Sequence, residues 1–237
     1  MSPARSFVDL HCHTSASFDS LASPRAVVAI AARRGLTHLA ITDHERIDGA
    51  LEARAAAPEG LTVLVGEEIR TRDGDLIGVF LTEAVAPGMS AAETIAAIRG
   101  QGGLVGIPHP FDRFRGSLSR GGALADPSGL AAGVDWVEAW NARLMVGDGN
   151  ARAAELAVAA GVPGIAVSDA HTTLEVGVAY AAMTGDPSTA DGLRASLAAG
   201  PELVMGRASA YVRLFTPMAK TINRARGHRR IQPEASA

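Results

Sequence analysis

The stretch Phe7-Val8-Asp9-Leu10-His11-Cys12-His13-Thr14-Ser15-Ala16-Ser17-Phe18-Asp19 decides how the rest of the chain is read. An apolar-rich run ends in two histidines separated by one residue, and a carboxylate follows shortly after. Histidine is scarce, with seven in 237 residues, so two within the first thirteen call for a reason. Side chains alternate along a strand, so residues i and i+2 share a face. Read as a strand, this run points His11 and His13 the same way. Asp9 lies on that face one step deeper, where it could orient a liganding imidazole. Cys12 alternates away and reads as a packed thiol.

The pattern recurs down the chain. His44 closes the run Ile41-Thr42-Asp43-His44, and Glu68 closes Val65-Gly66-Glu67-Glu68. His109 closes Gly106-Ile107-Pro108-His109, and Asp169 and His171 close Val167-Ser168-Asp169-Ala170-His171. Between these apolar runs lie alanine-rich helical stretches. Ser23-Pro24 offers a cap and a first-turn proline, and Ser90 with Glu93 has the spacing of a capping box. Asp73-Gly74 reads as a hairpin turn. Strand followed by helix, repeated, predicts an α/β fold with a parallel sheet or barrel. In a barrel, the carboxyl ends of the strands converge on one rim, where active sites are built. A last strand is expected over Arg207–Phe215. Residues 216–237 are polar and basic and read as a flexible tail, giving a barrel domain over 1–215. His38 stands at a strand start and reads as structural, and His228 falls in the tail with no role.

Bulk properties narrow the field. Hydrophobic residues make up 47% of the chain, which supports a sizeable core, and aromatics only 4%. A formal charge of −3 offers no basic field for nucleic acid or anionic membrane, and few aromatics means few stacking platforms for single strands. No stable nucleic-acid complex and no membrane partner is therefore expected. One cysteine permits no intrachain disulfide, and no secretory leader or spanning segment is evident, so a cytoplasmic location is expected. Imidazoles and carboxylates together suit Zn, Mn or Fe rather than calcium, which prefers all-oxygen shells.

These residues resemble the polymerase and histidinol phosphatase (PHP) family of metal-dependent phosphoesterases. The resemblance rests on DLHCHTSASFD, ITDHERIDG, GEEIRT, GIPHPFDR, VEAWNAR and SDAH, in family order. It implies a distorted (β/α)7 TIM-like barrel holding two or three divalent metal ions (Zn, Mn or Fe) at the carboxyl rim. It further implies that His11 and His13 hold a first ion with Asp169 and a shared Glu68. Glu68 would bridge to a second ion bound by His109, and Asp19, His44 and His171 would hold a third. Glu67 competes with Glu68, and the family pattern Gly-x-Glu favours Glu68. A further histidine that some members place shortly before the strand holding Glu138 is absent here, so the second ion's shell lacks one protein ligand.

The implied reaction is hydrolysis of a small phosphomonoester or nucleotide phosphate. Metal ions lower the pKa of a bridging water and neutralise the phosphoryl oxygens. Arg113, Arg115 and Arg143 follow rim strands and are candidates for binding phosphate in a bidentate fork. Asp43, beside His44, is a candidate to tune a ligand or to protonate a leaving group, and a loop-capping role is equally open. Two alternatives stand beside this reading. Hydrolases of C–N bonds use similar histidine pairs, but usually with a liganding lysine, and the only lysine here is Lys220. A non-catalytic metal-bound scaffold is the other. Oligomeric state is not legible.

Overall fold

The computed structural model describes residues 5–112, 116–117, 129 and 133–227. Seven strands carry the site: β1 (Arg5–Asp9), β2 (His38–Ile41), β3 (Thr62–Arg70), β4 (Asp75–Val79), β5 (Leu104–Ile107), β6 (Trp136–Asn141) and β7 (Gly164–Val167). Helices α1 (Pro24–Arg33), α2 (Asp48–Ala56), α3 (Ala91–Gly100) and α4 (Gly149–Ala160) join them. The start signals act as expected. Ser23 caps α1 by accepting from the Ala26 amide (3.3 Å), and Ser90 with Glu93 forms a complete capping box on α3.

The sheet runs β7-β6-β5-β4-β3-β2-β1 and then continues into β8 (Tyr180–Thr184) and β9 (Glu202–Val204). From β1 to β7 neighbouring pairs are parallel except around β4, which is antiparallel to both β3 and β5 because the Asp73-Gly74 hairpin reverses the chain; β8 is antiparallel to both β1 and β9. Beyond the ends of β1 and β7, Cys12 and Ala170 form a parallel bridge. There His13 N donates to Ala170 O (2.8 Å) and Asp169 N to His11 O (2.9 Å). The sheet thus curls into a barrel that closes at its carboxyl rim, beside the histidines. At the other end β8 takes the edge of β1 instead.

Two apolar layers hold this shape. Val8, Leu10, Ala40, Leu64, Leu104, Trp136 and Ile165 belong to one cluster, which extends to Leu193 on α5 (Ala190–Ala198). Val27, Leu39, Val63, Ile98 and Val137 belong to the other, between sheet and helices. Burying each of the larger side chains stabilises the fold by about 1.5–3 kcal/mol. Gly106 is required on β5, because any Cβ there would overlap the Trp136 ring.

Two expectations fail. Residues Val212–Ala225 form a helix, α6, rather than the end of a strand over Arg207–Phe215. Alternation from Arg207 gave way to a helical stripe, in which Val212, Ala219 and Asn223 are buried on one face. The frayed tail expected from residue 216 is therefore wrong as far as Ala225. A boundary at 215 falls inside α6, and residues 228–237 lie outside the described set. Strands β8 and β9 have no counterpart in the sequence reading.

Candidate metal centre

All eight side chains singled out as ligands meet at the closed rim. His11, His13, Asp19, Glu68, His109, Asp169 and His171 are buried, and the His44 side chain is 8% exposed. They fall into three groups whose donor atoms lie within 4.8 Å of one another: His13 with Asp19, His44 and His171; His11 with His109 and Asp169; and His11 with His13 and Glu68. The partition differs from the expected one, since His13 also joins the Asp19 group and His11 also joins the His109 group. Glu68 sits centrally. Its carboxylate lies 3.1–3.4 Å from ring nitrogens of His109, His44, His13 and His11.

Hydrogen bonds at the rear nitrogens fix which lone pair faces the centre. His11 Nδ1 donates to Glu138 Oε1 (2.6 Å), and His13 Nδ1 donates to Ser17 Oγ (3.0 Å). His171 Nδ1 donates to the Asp169 carbonyl (2.9 Å). Each ring thereby turns Nε2 inward. The Nε2 atoms of His11 and His13 are only 2.9 Å apart. Two lone pairs that close repel unless a cation lies against them, so the donor set fits a metal ion.

Charge tells the same story. Burial disfavours the His11 imidazolium, yet Glu138 and Glu68 overcome it and raise the pKa to about 10. In the ion-free protein a proton therefore holds the place a metal would take. His13 is pushed well below its ordinary value by burial and by His171, and His171 to about 4 by burial and Arg143. Both are neutral imidazoles, the ligand form. Burial opposes ionisation of Glu68 and Asp19, but the surrounding histidines hold both well below the usual carboxylate range. Asp19 Oδ1 is buried with no hydrogen-bond partner among the described residues. No lysine or arginine appears among the buried described residues to balance this acidity.

Two sequence expectations need correction or placement. Asp9 does not orient a liganding ring: its Oδ1 accepts from the amides of His11 (3.4 Å) and Ser168 (3.1 Å). The carboxylate on the His11 ring is Glu138, which also accepts from His109 N and Asn141 Nδ2 (both 2.9 Å). Strand alternation placed Glu138 on the rim strand Val137-Glu138-Ala139-Trp140-Asn141, but nothing local revealed its partner, 127 residues away. Asp43 sits behind the centre, accepting from Thr14 N (2.6 Å), Thr14 Oγ1 (2.6 Å) and Ser17 Oγ (2.7 Å).

In front of the centre opens a cleft of about 660 Å³, lined at its base by Asp19, His44, Glu68 and His171. Arg70, Arg143 and Lys220 also line it, with Phe18, Met145 and Val212 as apolar wall. Arg143 Nε lies 3.1 Å from Glu175 Oε1, and its Nη2 donates to Thr216 Oγ1 (2.6 Å) on α6. Arg113 and Arg115 lie outside the described residues. No helix among the described residues is long and apolar enough to cross a membrane.

A barrel closed over clustered histidines and carboxylates, with the His11, His13 and His171 rings locked from behind, defines a protein whose rim could hold metal. Comparison with known proteins gives the class a family. The PHP domain matches residues 9–128, and the PHP-associated region matches residues 147–201. The chain belongs to the PHP domain family, whose members are metal-dependent. The first match carries His11 to His109 of the ligand set, and the second carries Asp169 and His171. An uncharacterised protein of Methanocaldococcus jannaschii is 40% identical over 114 residues, covering 44% of this chain and 67% of that one. A two-domain protein of Bacteroides vulgatus, described as containing a predicted PHP-like metal-dependent phosphoesterase, superposes with a TM-score of 0.70 at 17% identity. The match covers 86% of this chain and 66% of that chain. Endonuclease Q, in complex with a 27-mer duplex bearing an abasic lesion at its active site, superposes with a TM-score of 0.63 at 16% identity. That match covers 84% and 58% of the two chains. These structural likenesses establish the shared fold.

Proposed function

We propose that the protein is a phosphoesterase that hydrolyses a small phosphomonoester or nucleotide phosphate with two or three divalent ions, Zn, Mn or Fe. The observation that carries this reading is the pair of inward Nε2 atoms of His11 and His13, 2.9 Å apart, with both Nδ1 protons engaged behind. Ions bound there supply Lewis acidity toward a phosphoryl group and activation of water. His11, His13, Glu68, His109 and Asp169 would hold two ions, and Asp19, His44 and His171 with His13 a third.

The chain's own residues set the geometry. Glu138 fixes the His11 ring, and Asp43 acts through Ser17 to fix His13. Asp43 is thus a positioning residue rather than the proton donor that adjacency to His44 left open. Arg143, held between Glu175 and Thr216, presents a guanidinium in the cleft to neutralise a phosphate oxygen, and Lys220 adds a second cation at the wall. The cleft suits a small phosphorylated molecule with an apolar or planar part against Phe18 and Met145. The likeness to Endonuclease Q weakens the expectation that nucleic acid is excluded, since that protein engages a duplex at its active site on the same fold.

The test is phosphate release from an aryl phosphate and a nucleotide panel by protein reconstituted with Zn, Mn or Fe. Release that stops on chelation and in His11→Ala is expected. Ion binding with no turnover on any phosphoester, nucleic acid included, refutes the catalytic reading and leaves the metal-bound scaffold.

A further inference from the structure

Helix α6 reaches the turn that carries Asp19 through one buried side chain, Asn223. Asn223 is 1% exposed, and its Nδ2 donates to the carbonyls of Ser17 (3.2 Å), Phe18 (3.2 Å) and Ser20 (2.9 Å). Those three carbonyls bracket Asp19. An amide carries two protons, so one is shared between two acceptors. Three carbonyls turned toward one buried donor would lose their partner together if it were removed, and unpaired buried polar groups are costly.

The far side of the same turn touches the centre. Ser17 Oγ receives the His13 Nδ1 proton and passes its own to Asp43, while Ser20 Oγ donates to the His171 carbonyl (2.9 Å). Asp19 Oδ2 lies 3.5 Å from His44 Nε2 and 3.3 Å from His171 Nε2. Asp19 is thus carried on a short turn pinned at both flanks, from one side by the site and from the other by α6. Two further contacts seat the helix: Thr216 under Arg143, and Lys220 Nζ 5.4 Å from the Phe18 ring centroid.

We propose that Asn223 is a positioning residue for the group His13, Asp19, His44 and His171. It sets the Asp19 carboxylate before an ion arrives, so occupancy of that group depends on α6. The inference rests on the metal reading above and goes beyond it, since it gives the C-terminal helix a part in the group that Asp19 completes.

The experiment uses the full chain. Wild type, Asn223→Ala, Asp19→Ala and the exposed-site control Arg224→Ala are stripped of metal and titrated with Zn²⁺ and Mn²⁺ against a competing chelator. Ions per chain and each step's affinity are read, with the melting temperature of the ion-free proteins as companion. Asn223→Ala should lose one ion per chain, or bind it about 10–100-fold more weakly, as expected when a group supporting a ligand is removed. The remaining steps should stay as in wild type, Asp19→Ala should reproduce the pattern, and Arg224→Ala should bind like wild type. Unchanged binding by Asn223→Ala, or equal weakening of every step with a falling melting temperature, overturns the inference. If wild type itself binds no ion, the metal reading fails and takes this inference with it. Should Asn223→Ala not fold, amide exchange of residues 15–20 in ion-free wild type decides. Protection supports a turn preset by Asn223, and exchange as fast as an open loop overturns it.

Discussion

Replacing Glu138 tests the centre without touching a ligand. Its carboxylate receives the His11 Nδ1 proton at 2.6 Å and also holds the His109 amide and Asn141, so one group sets the orientation of two proposed ligands. Glu138→Gln keeps an acceptor for His11 but removes the charge. The His11 pKa, raised to about 10 against burial chiefly by Glu138, should fall, and the imidazole becomes a poorer donor to a cation. Loss of such a supporting carboxylate costs about 10–100-fold in metal affinity, or about 1.4–2.7 kcal/mol. Chelator competition measures this directly. Glu138 does not line the cleft, so phosphoesterase turnover at saturating metal should approach wild type while the metal concentration for half-activity rises. Glu138→Ala, which also orphans the His109 amide, should lose more on both counts. Wild-type metal affinity in Glu138→Gln would refute the reasoning. So would turnover that no metal concentration restores, because that would make Glu138 part of the reacting centre.

Three further substitutions probe the surroundings. Asp43→Asn should weaken metal binding by about tenfold, through Ser17 and His13, and leave the limbs of the pH–rate profile in place; disappearance of a limb would show that Asp43 does exchange a proton with substrate. Glu67, buried with only the Val85 amide on its Oε2 (2.8 Å), has its pKa raised from 4.5 to about 8 by burial. The native state then binds more protons than the unfolded chain between those values, so Glu67 makes stability fall as pH rises from about 4.5 to about 8. Glu67→Gln should flatten that slope and gain up to roughly 5 kcal/mol at the alkaline end in urea denaturation, whereas parallel slopes for the two proteins would contradict it. Gly49→Ala should cost about 1–3 kcal/mol and loosen His13, because a Cβ at that position overlaps Asp43 Oδ2 and Thr14 Oγ1; an unchanged denaturation midpoint would mean that Asp43 can move freely.

The rim was legible because each part of its signal is local. His11, His44, Glu68, His109 and Asp169 all follow short apolar runs, and the turn and cap residues between them mark where strand becomes helix. What escaped depends on distant partners. Tyr180–Thr184 reads Tyr-Ala-Ala-Met-Thr, too alanine-rich to announce a strand, and becomes β8 only because the edge of β1 is open to it. Val212–Ala225 carries a proline at 217 and follows alternating residues, so its helical face emerged only from packing on the rim. Glu138 and Asn223 gain their roles from partners 127 and about two hundred residues away, which no periodicity encodes.

The centre is also the place where the fold departs from its own rules. Of the four non-glycine residues with positive φ among the described residues, Glu45, His109 and Asp169 lie at the rim, beside or within the proposed ligand set. Such conformations cost of order 1–3 kcal/mol each and persist only where neighbours enforce them. The enforcing bonds are the site's own: Glu45 N to Glu68 O (3.1 Å), His109 N to Glu138 Oε2 (2.9 Å) and Asp169 N to His11 O (2.9 Å). Strain, buried carboxylates and closely facing imidazole nitrogens thus share one set of atoms, and the apolar layers beneath offset their cost. Cations would relieve the electrostatic part of that cost but not the backbone part. This is the arrangement expected of a site preset for ions rather than one assembled by them.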